Sequence, residues 1–279
     1  MTNTAVLYVC ATPIGNLQDI SLRALEILSK ADVILCEDTR NSKFLLNSHG
    51  ISYKKLISLH EHNENQVTTD VIKWLESGLT IIQISDAGTP GISDPGSRLC
   101  DQVLKLGFKV SPLPGACAYI SLLSVSGLTG ETLFHGFLPN TKTKRLKILE
   151  LWQKCNYNVA IYEAPHRIIE CLEDIVECLG EERIIVMGRE LTKQYETIKK
   201  SKAIELLDFV KNDINQQRGE FVLLIAPCQI NEIIALTYEQ INTLNLLSPH
   251  FPPKKVALLT SQIHGGDKHL IYEYLINKK

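Results

Sequence analysis

Positive charge is not in excess in this chain. Across 279 residues, 29 Lys and Arg stand against 31 Asp and Glu, a formal net charge of −2 with histidine neutral. The molecule as a whole therefore has no pull on nucleic acid or an anionic surface, and such a partner must be met by local clusters. Long hydrophobic runs are missing as well. The longest, such as FVLLIA at 221–226, are strand-sized and far short of the ~20 residues of a spanning helix. The first residues, MTNTAVLYVCATPIG, carry no basic leader and meet a proline early, so no signal peptide is expected. Eight cysteines are present but no CxxC pair, which suits reduced, mostly buried thiols in a cytoplasmic protein better than a disulfide framework or a zinc site. Histidines show no HxxxH or HExxH spacing, and His60 and His62 in HEHNE read as a polar loop rather than metal ligands. No internal repeat or low-complexity tract interrupts the chain.

What is present is an ordinary globular composition, 44% hydrophobic and 22% charged, long enough for two domains. Short apolar runs alternate with helical patterns. Strands are expected at 5–11, 32–38, 54–60, 79–85 and 108–114, with helices at 21–31, 42–50, 65–78 and 97–106. Continuous apolar strands separated by helices predict a parallel sheet covered on both faces. A helical pattern opened by Pro-Gly (114–127) begins a second part, with strands expected at 132–138, 157–164, 182–190, 197–204 and 220–227. The run at 197–204 is polar, which suits an edge or an antiparallel arm. Beyond Cys228 the pattern becomes a small helical appendage behind a Pro-rich joint.

Ligands of open parallel sheets bind beyond the carboxyl ends of the strands, and several loops there are unusual. TPIGNLQDIS (12–21) has Pro and Gly where a nicotinamide fingerprint has GxGxxG, and offers Asp19 or Ser21 as a helix cap. CEDTR (36–40) puts Glu37 and Asp38 at a strand's carboxyl end, facing a ligand or a structural arginine. SDAGTPGISDPG (85–96) is stiff and acidic. Gly88 and Gly91 let backbone approach a ligand, and Pro90 and Pro95 hold the shape. Its N–H groups suit a carboxylate, whereas Asp86 and Asp94 suit an amine, a hydroxyl pair or a cation. In the second part, YEAPHRI (162–168) and GRELTKQYE (188–196) are dense in ionisable groups that form salt bridges or share a cleft. Cations cluster in TKTKRLK (141–147), KKSK (199–202) and the tail.

ATPIGNLQDIS, CEDTR, ISDAGTPGISDPG, PLPGACA, FHGFLP, YEAPHR, GRELTKQYE and RGEFVLLI occur in this order and spacing. Together they resemble the tetrapyrrole-methylase-like methyltransferases from about Leu7 to Ala226, and the tail is similar to that family's basic helical region. Tetrapyrrole-specific members show GxGPGD and GDP where this chain has TPIGNL and DAGTP, so the resemblance favours the family's ribosomal RNA branch. The tail departs at Gly265–Gly266.

The resemblance implies an α/β fold with a mainly parallel N-terminal sheet (1–114), a mixed C-terminal sheet (115–228) and a helical basic appendage (229–279). It implies S-adenosylmethionine in the cleft, a homodimer, and 2′-O-methylation of a cytidine in the decoding region of small-subunit (16S) ribosomal RNA within the 30S subunit. No metal or membrane is expected. Carried onto this chain, the cofactor residues are Pro13, Asp86, Ala87, Gly88, Thr89, Pro90, Pro114, Gly115, Ala116, Tyr162, Glu163 and Ala164. Glu37, Asp38, Glu163, Glu190 and Lys193 are the available bases or orienters. Arg40, Arg167 and Arg189, with Lys142, Lys144, Arg145, Lys254 and Lys255, are expected on RNA phosphate. Within SDAGTPGISDPG, DAGTP is expected to touch the cofactor, while SDPG shapes the loop and caps the next helix, which makes Asp94 structural. Two rivals remain open: the same fold methylating a tetrapyrrole, and a non-catalytic RNA-binding assembly factor.

Overall fold

Five apolar runs of the first part pair into one sheet: β1 (Val6–Cys10), β2 (Val33–Cys36), β3 (Leu56–Ser58), β4 (Thr80–Ile84) and β5 (Lys109–Leu113). All four pairings are parallel, in the order β3-β2-β4-β1-β5. The computed structural model describes residues 5–60, 62–228 and 236–277, and the chain divides into two units, 1–228 and 229–279. Helices α1 (Leu22–Lys30) and α2 (Thr39–Ser48) cover one face and α3 (Glu64–Glu76) and α4 (Ser97–Lys105) the other. Along β2, Ile34 and Cys36 pack with Ala24, Leu28 and Leu46, while Val33 and Leu35 pack with Val67, Val71, Leu99 and Val103. Burial on both faces is why these strands are apolar without alternation.

Local chemistry sets the boundaries. Ser21 caps α1, its Oγ accepting from the Ala24 N–H at 3.1 Å. Asp38 caps α2, accepting from the Arg40 N–H at 2.7 Å, so that helix starts at Thr39 rather than 42. Pro112 is tolerated within β5 because that strand lies at the sheet's edge. The connection from β1 runs through α1 to β2, on the far side of β4. The connection from β4 runs through α4 to β5, on the far side of β1. The loops after these two neighbouring strands thus leave in opposite directions, and a crevice opens between them.

The second sheet is mixed. It comprises β6 (Thr132–Phe137), β7 (Asn158–Glu163), β8 (Ile184–Arg189), β9 (Thr197–Lys202) and β10 (Phe221–Ile225), ordered β6-β7-β10-β8-β9. Only β6–β7 is parallel, and polar β9 is an antiparallel edge strand, as its composition suggests. One face packs on α6 (Lys142–Leu151), α7 (Ile168–Leu179) and α8 (Ala203–Asn212) through Leu149, Leu172, Ile175 and Leu206. The other carries Ala160, Val186, Val222 and Leu224, and receives Leu122 of α5 (Ala118–Val125) together with Ile14 from the loop after β1. A Cβ on Gly188 would stand 2.9 Å from Leu122, so this glycine lets α5 close onto the sheet. The helical pattern at 114–127 thus yields only Ala118–Val125. Gly115 lies against Ala11, where a Cβ would come within 2.8 Å.

The unit at 229–279 contains α9 (Tyr238–Leu247), α10 (Pro253–His264) and α11 (Lys268–Asn277) around Leu236, Leu244, Val256, Ala257 and Ile271. Thr237 and Gln240 form a reciprocal capping box at the start of α9. Gly265–Gly266 has a physical reason. Both residues have positive φ, and a Cβ on Gly266 would meet Gln240 Nε2 at 2.9 Å. The first residues of the appendage expected beyond Cys228, 229–235, and the terminal Lys278 and Lys279 lie outside the described residues. Among the described residues, no helix is long and apolar enough to cross a membrane. All eight cysteines are free thiols.

Candidate active site

Hydrogen bonds join the loops that follow β1, β4 and β5 into one frame. Thr12 and Gly88 exchange backbone bonds of 2.8 and 3.1 Å. The Thr12 hydroxyl donates to the Ser85 carbonyl at 3.0 Å, and the Ser85 hydroxyl to the Gly88 carbonyl at 2.9 Å. The Thr89 hydroxyl donates to the Ala116 carbonyl at 3.0 Å, which ties in the loop after β5. Gly88 has φ 84°, a conformation open to glycine at little cost. The frame also reaches the second sheet, where the Asn16 N–H donates to Thr192 Oγ1 at 3.1 Å.

Between this frame and the second sheet lies a cavity of about 380 Å³. Ile14, Leu191, Phe221 and Val222 form apolar wall, Cys117 and Tyr162 a half-polar side, and Glu37, Asp86, Asp94, Glu163 and Glu220 bring five carboxylates. No Lys, Arg or His lines it among the described residues. Two of the five are matched by cations further back: Glu163 pairs with Arg167 at 2.6 Å and Glu220 with Lys193 at 2.8 Å. Asp86 is held by neutral donors, the Asp38 N–H at 3.0 Å and Asn41 Nδ2 at 2.8 Å. Asp94 is half-buried, and burial pushes its carboxyl up to about 7. The charges of Glu37 and Asp86 add to that shift, and a Ser85 hydrogen bond opposes it. Glu163 is fully buried, and its Oε2 has no hydrogen-bond partner among the described residues. Burial, then the neighbouring Cys117, raises the Tyr162 hydroxyl above its ordinary range.

The residues expected from sequence separate into distinct groups. Asp86, Ala87, Gly88, Thr89, Tyr162, Glu163 and Ala164 line the cavity, whereas Pro13, Pro90, Pro114, Gly115 and Ala116 belong to the loops behind it. SDPG caps the next helix as expected, whereas Asp94, expected to be structural, lines the cavity. Gly96 occupies the N-cap of α4 with φ 117° and no side-chain cap bond, while the Asp94 side chain faces the cavity. Only glycine fits at 96, because a Cβ there would stand 1.6 Å from Gln83.

Among the expected bases, Glu37 lines the cavity, but three others are engaged elsewhere. Asp38 caps α2 and pairs with Arg40 at 2.5 Å. Lys193 bridges Glu190 at 2.9 Å and Glu220 at 2.8 Å, and Glu190 also accepts the Glu220 N–H at 3.0 Å. Glu190 and Lys193 therefore anchor the start of β10 and stand off the cavity wall.

Three arginines expected on RNA face inward. Arg145 is 1% exposed, with its Nε 2.5 Å from Asp174. Its helical partner four residues on, Leu149, is buried beside it. Arg167 is held by Glu163 and the Leu138 carbonyl. Arg189 donates to the carbonyls of Arg218 and Tyr195 at 2.6 and 3.0 Å. Lys142 is exposed but pairs with Glu177 at 2.8 Å. Arg40, Lys144, Lys254 and Lys255 are exposed. Among the described residues no group of three or more His, Cys, Asp or Glu is placed to hold a metal ion.

Residues 6–207 match the family described as Tetrapyrrole (Corrin/Porphyrin) Methylases. The chain belongs to this family of methyltransferases. Within it, the sequence stands with proteins named ribosomal RNA small subunit methyltransferase I. It is 44% identical over 271 residues to the one from Vibrio cholerae, covering 96% of this chain and 93% of that one. It is 42% identical over 279 residues to the one from Pseudomonas aeruginosa, covering 99% of each. Among solved structures, a cobalt precorrin-4 methyltransferase superimposes with TM-score 0.60 at 14% identity, covering 81% of this chain and 96% of that one. A diphthine synthase superimposes with TM-score 0.61 at 13% identity, covering 80% and 90%. At these identities the two structures show a shared fold.

Proposed function

We propose that this protein methylates the ribose 2′-hydroxyl of a cytidine in the decoding region of small-subunit ribosomal RNA, with S-adenosylmethionine as donor. In this reading the lobes 1–114 and 115–228 enclose the cofactor, the chain works as a homodimer, and the assembled 30S subunit is the substrate. Support comes from the names of near full-length relatives and, above all, from the cavity. A carboxylate-lined pocket with no cationic lining suits a ligand bearing a sulfonium and an ammonium, and its volume falls in the range of small-molecule sites. Glu37, Asp86 and Asp94 would face positive charge, while Ile14, Leu191 and Val222 offer apolar wall. Adenosylmethionine, when bound, supplies a methyl group on a positively charged sulfur.

The chain's own part is alignment and proton removal. Reactants held in line gain on the order of 7–11 kcal/mol. The acceptor alcohol is neutral at physiological pH, so a base adds about 10²–10⁴-fold. Asp94 is the carboxyl whose pKa, about 7, is matched to that task. A cation in the cavity favours the ionised carboxylate, so binding of a cationic ligand and loss of the Asp94 proton are linked.

The test is incubation with labelled adenosylmethionine and either unmodified 30S subunits or a tetrapyrrole. Label in the ribose of the RNA supports this reading. Label confined to the tetrapyrrole, or RNA bound without transfer, contradicts it.

A further inference from the structure

At the cavity mouth two large apolar side chains remain in water: Phe137, 53% exposed, and Ile92, 37% exposed, both on the lining. Phe137 reaches that position by an irregularity. The pairing of β6 with β7 is regular to Phe134 opposite Ala160, then shifts, so that Gly136 faces Ile161 and Phe137 faces Tyr162. In an unbroken strand, residues three apart lie on opposite faces. The bulge inserts His135, whose ring turns to the opposite face against Trp152, 5.1 Å between centroids. Phe134 and Phe137 consequently share the cavity face, each edge-on to Tyr162 at 5.1 and 5.7 Å. Bulges beside active sites commonly re-aim one side chain in this way.

Gly136 makes the arrangement possible. It has φ 80°, and a Cβ would stand 2.8 Å from the Ser93 hydroxyl. The backbone of β6 therefore comes up against the loop after β4. Ile92, one residue before Ser93, and Phe137, one residue after Gly136, are brought to the same lip from the two lobes.

Resting on the function proposed above, we propose that Phe137 and Ile92 receive the extruded base of the target nucleotide, with Phe137 stacking on its face. A base leaving an RNA stack loses a few kcal/mol of stacking and pairing, and an aromatic face offsets part of that loss irrespective of base identity. The occupant is a planar ring that enters from solvent, because these side chains stand at the mouth. Buried Glu163 and the half-buried Glu37 and Asp94 belong to the same lining, and there the donor and the 2′-hydroxyl would meet.

The experiment compares wild type, Phe137→Ala, Phe137→Leu, Phe137→Trp and Ile92→Ala. Methyl transfer to 30S subunits lacking the modification gives kcat/KM for RNA, and calorimetry gives adenosylmethionine affinity and shows that each variant is folded. Phe137→Ala and Phe137→Leu should lower kcat/KM for RNA about 5- to 150-fold, the equivalent of one base stacked on an aromatic at ~1–3 kcal/mol. Cofactor affinity should be unchanged, Phe137→Trp should retain activity, and Ile92→Ala should show a smaller loss. Equal losses of cofactor affinity, full activity in Phe137→Ala, or a Leu variant as active as the Trp variant would each overturn the proposal. Wild type that transfers no methyl to RNA would instead sink the underlying function.

Discussion

Among individual residues, Asp94 is the base of the proposed reaction, and its raised pKa has two consequences. Ionisation through about pH 7 in the unliganded protein predicts that kcat/KM rises with pH across that value, while kcat, set by the cation-bound complex, levels off at lower pH. Asp94→Asn should lose about 10²–10⁴-fold in rate and flatten the profile, which pH-dependent initial rates will show. The same shift acts on folding. Because the folded-state pKa lies above the usual 3.8, the native protein holds a proton that the unfolded chain releases between those values. The contribution to stability is complete below the unfolded pKa and is lost as pH rises through 7. Asp94→Asn should therefore raise Tm at pH 8 and leave it nearly unchanged at pH 4, as measured by calorimetry in both buffers. Arg145 gives a second prediction at this scale. With the Arg145 and Asp174 side chains 2% and 3% exposed, Arg145→Ala leaves the buried Asp174 carboxylate only the exposed Lys142 at 3.4 Å, at a cost of up to about 3–5 kcal/mol. Denaturant titration should show that loss, with no change in the salt dependence of RNA binding in a variant still folded.

At the scale of elements, the strands were the most legible part. Apolar runs bounded by turns locate nine of the ten strands among the described residues, polar β9 being placed as an edge or antiparallel arm, and the lack of alternation in the first part announces a sheet covered on both sides. Less legible was the direction of a side chain on a helix. TKTKRLK reads as a basic cluster, yet within α6 the 3.6-residue period turns Arg145 inward with Leu149 while Lys144 stays out. Asp86 and Asp94 look alike in sequence; SDPG caps the next helix as expected, through Gly96, but that Asp94 lines the cavity is not legible in it. The bulge at His135 left no mark, since a bulge is a property of pairing and not of one strand's composition. Gly96 supplies the prediction here. Gly96→Ala places a Cβ into Gln83 in a left-handed conformation, with strain of about 1–3 kcal/mol before any clash. It should lower both Tm and adenosylmethionine affinity by moving the loop that holds Asp94.

Considered whole, the molecule combines a near-neutral charge with exposed cations on separate elements, Lys144 in α6 and Lys254 and Lys255 in α10. Under the proposed function, RNA affinity rests on a few lysine–phosphate pairs. Replacing Lys254 and Lys255 by alanine should weaken binding across sequences and reduce the slope of log affinity against log salt by about 1 for each phosphate no longer neutralised. Filter binding over a salt series measures that slope. The central claim is that the carboxylate-lined cavity between the two sheets carries out methyl transfer to RNA. Its most direct test is mass spectrometry of nucleosides from 30S subunits incubated with isotopically labelled adenosylmethionine and either wild type or Asp86→Ala. Wild type should yield labelled 2′-O-methylcytidine, and a folded Asp86→Ala none. Label on a base rather than a ribose, no label with wild type, or equal label from both proteins would contradict the claim.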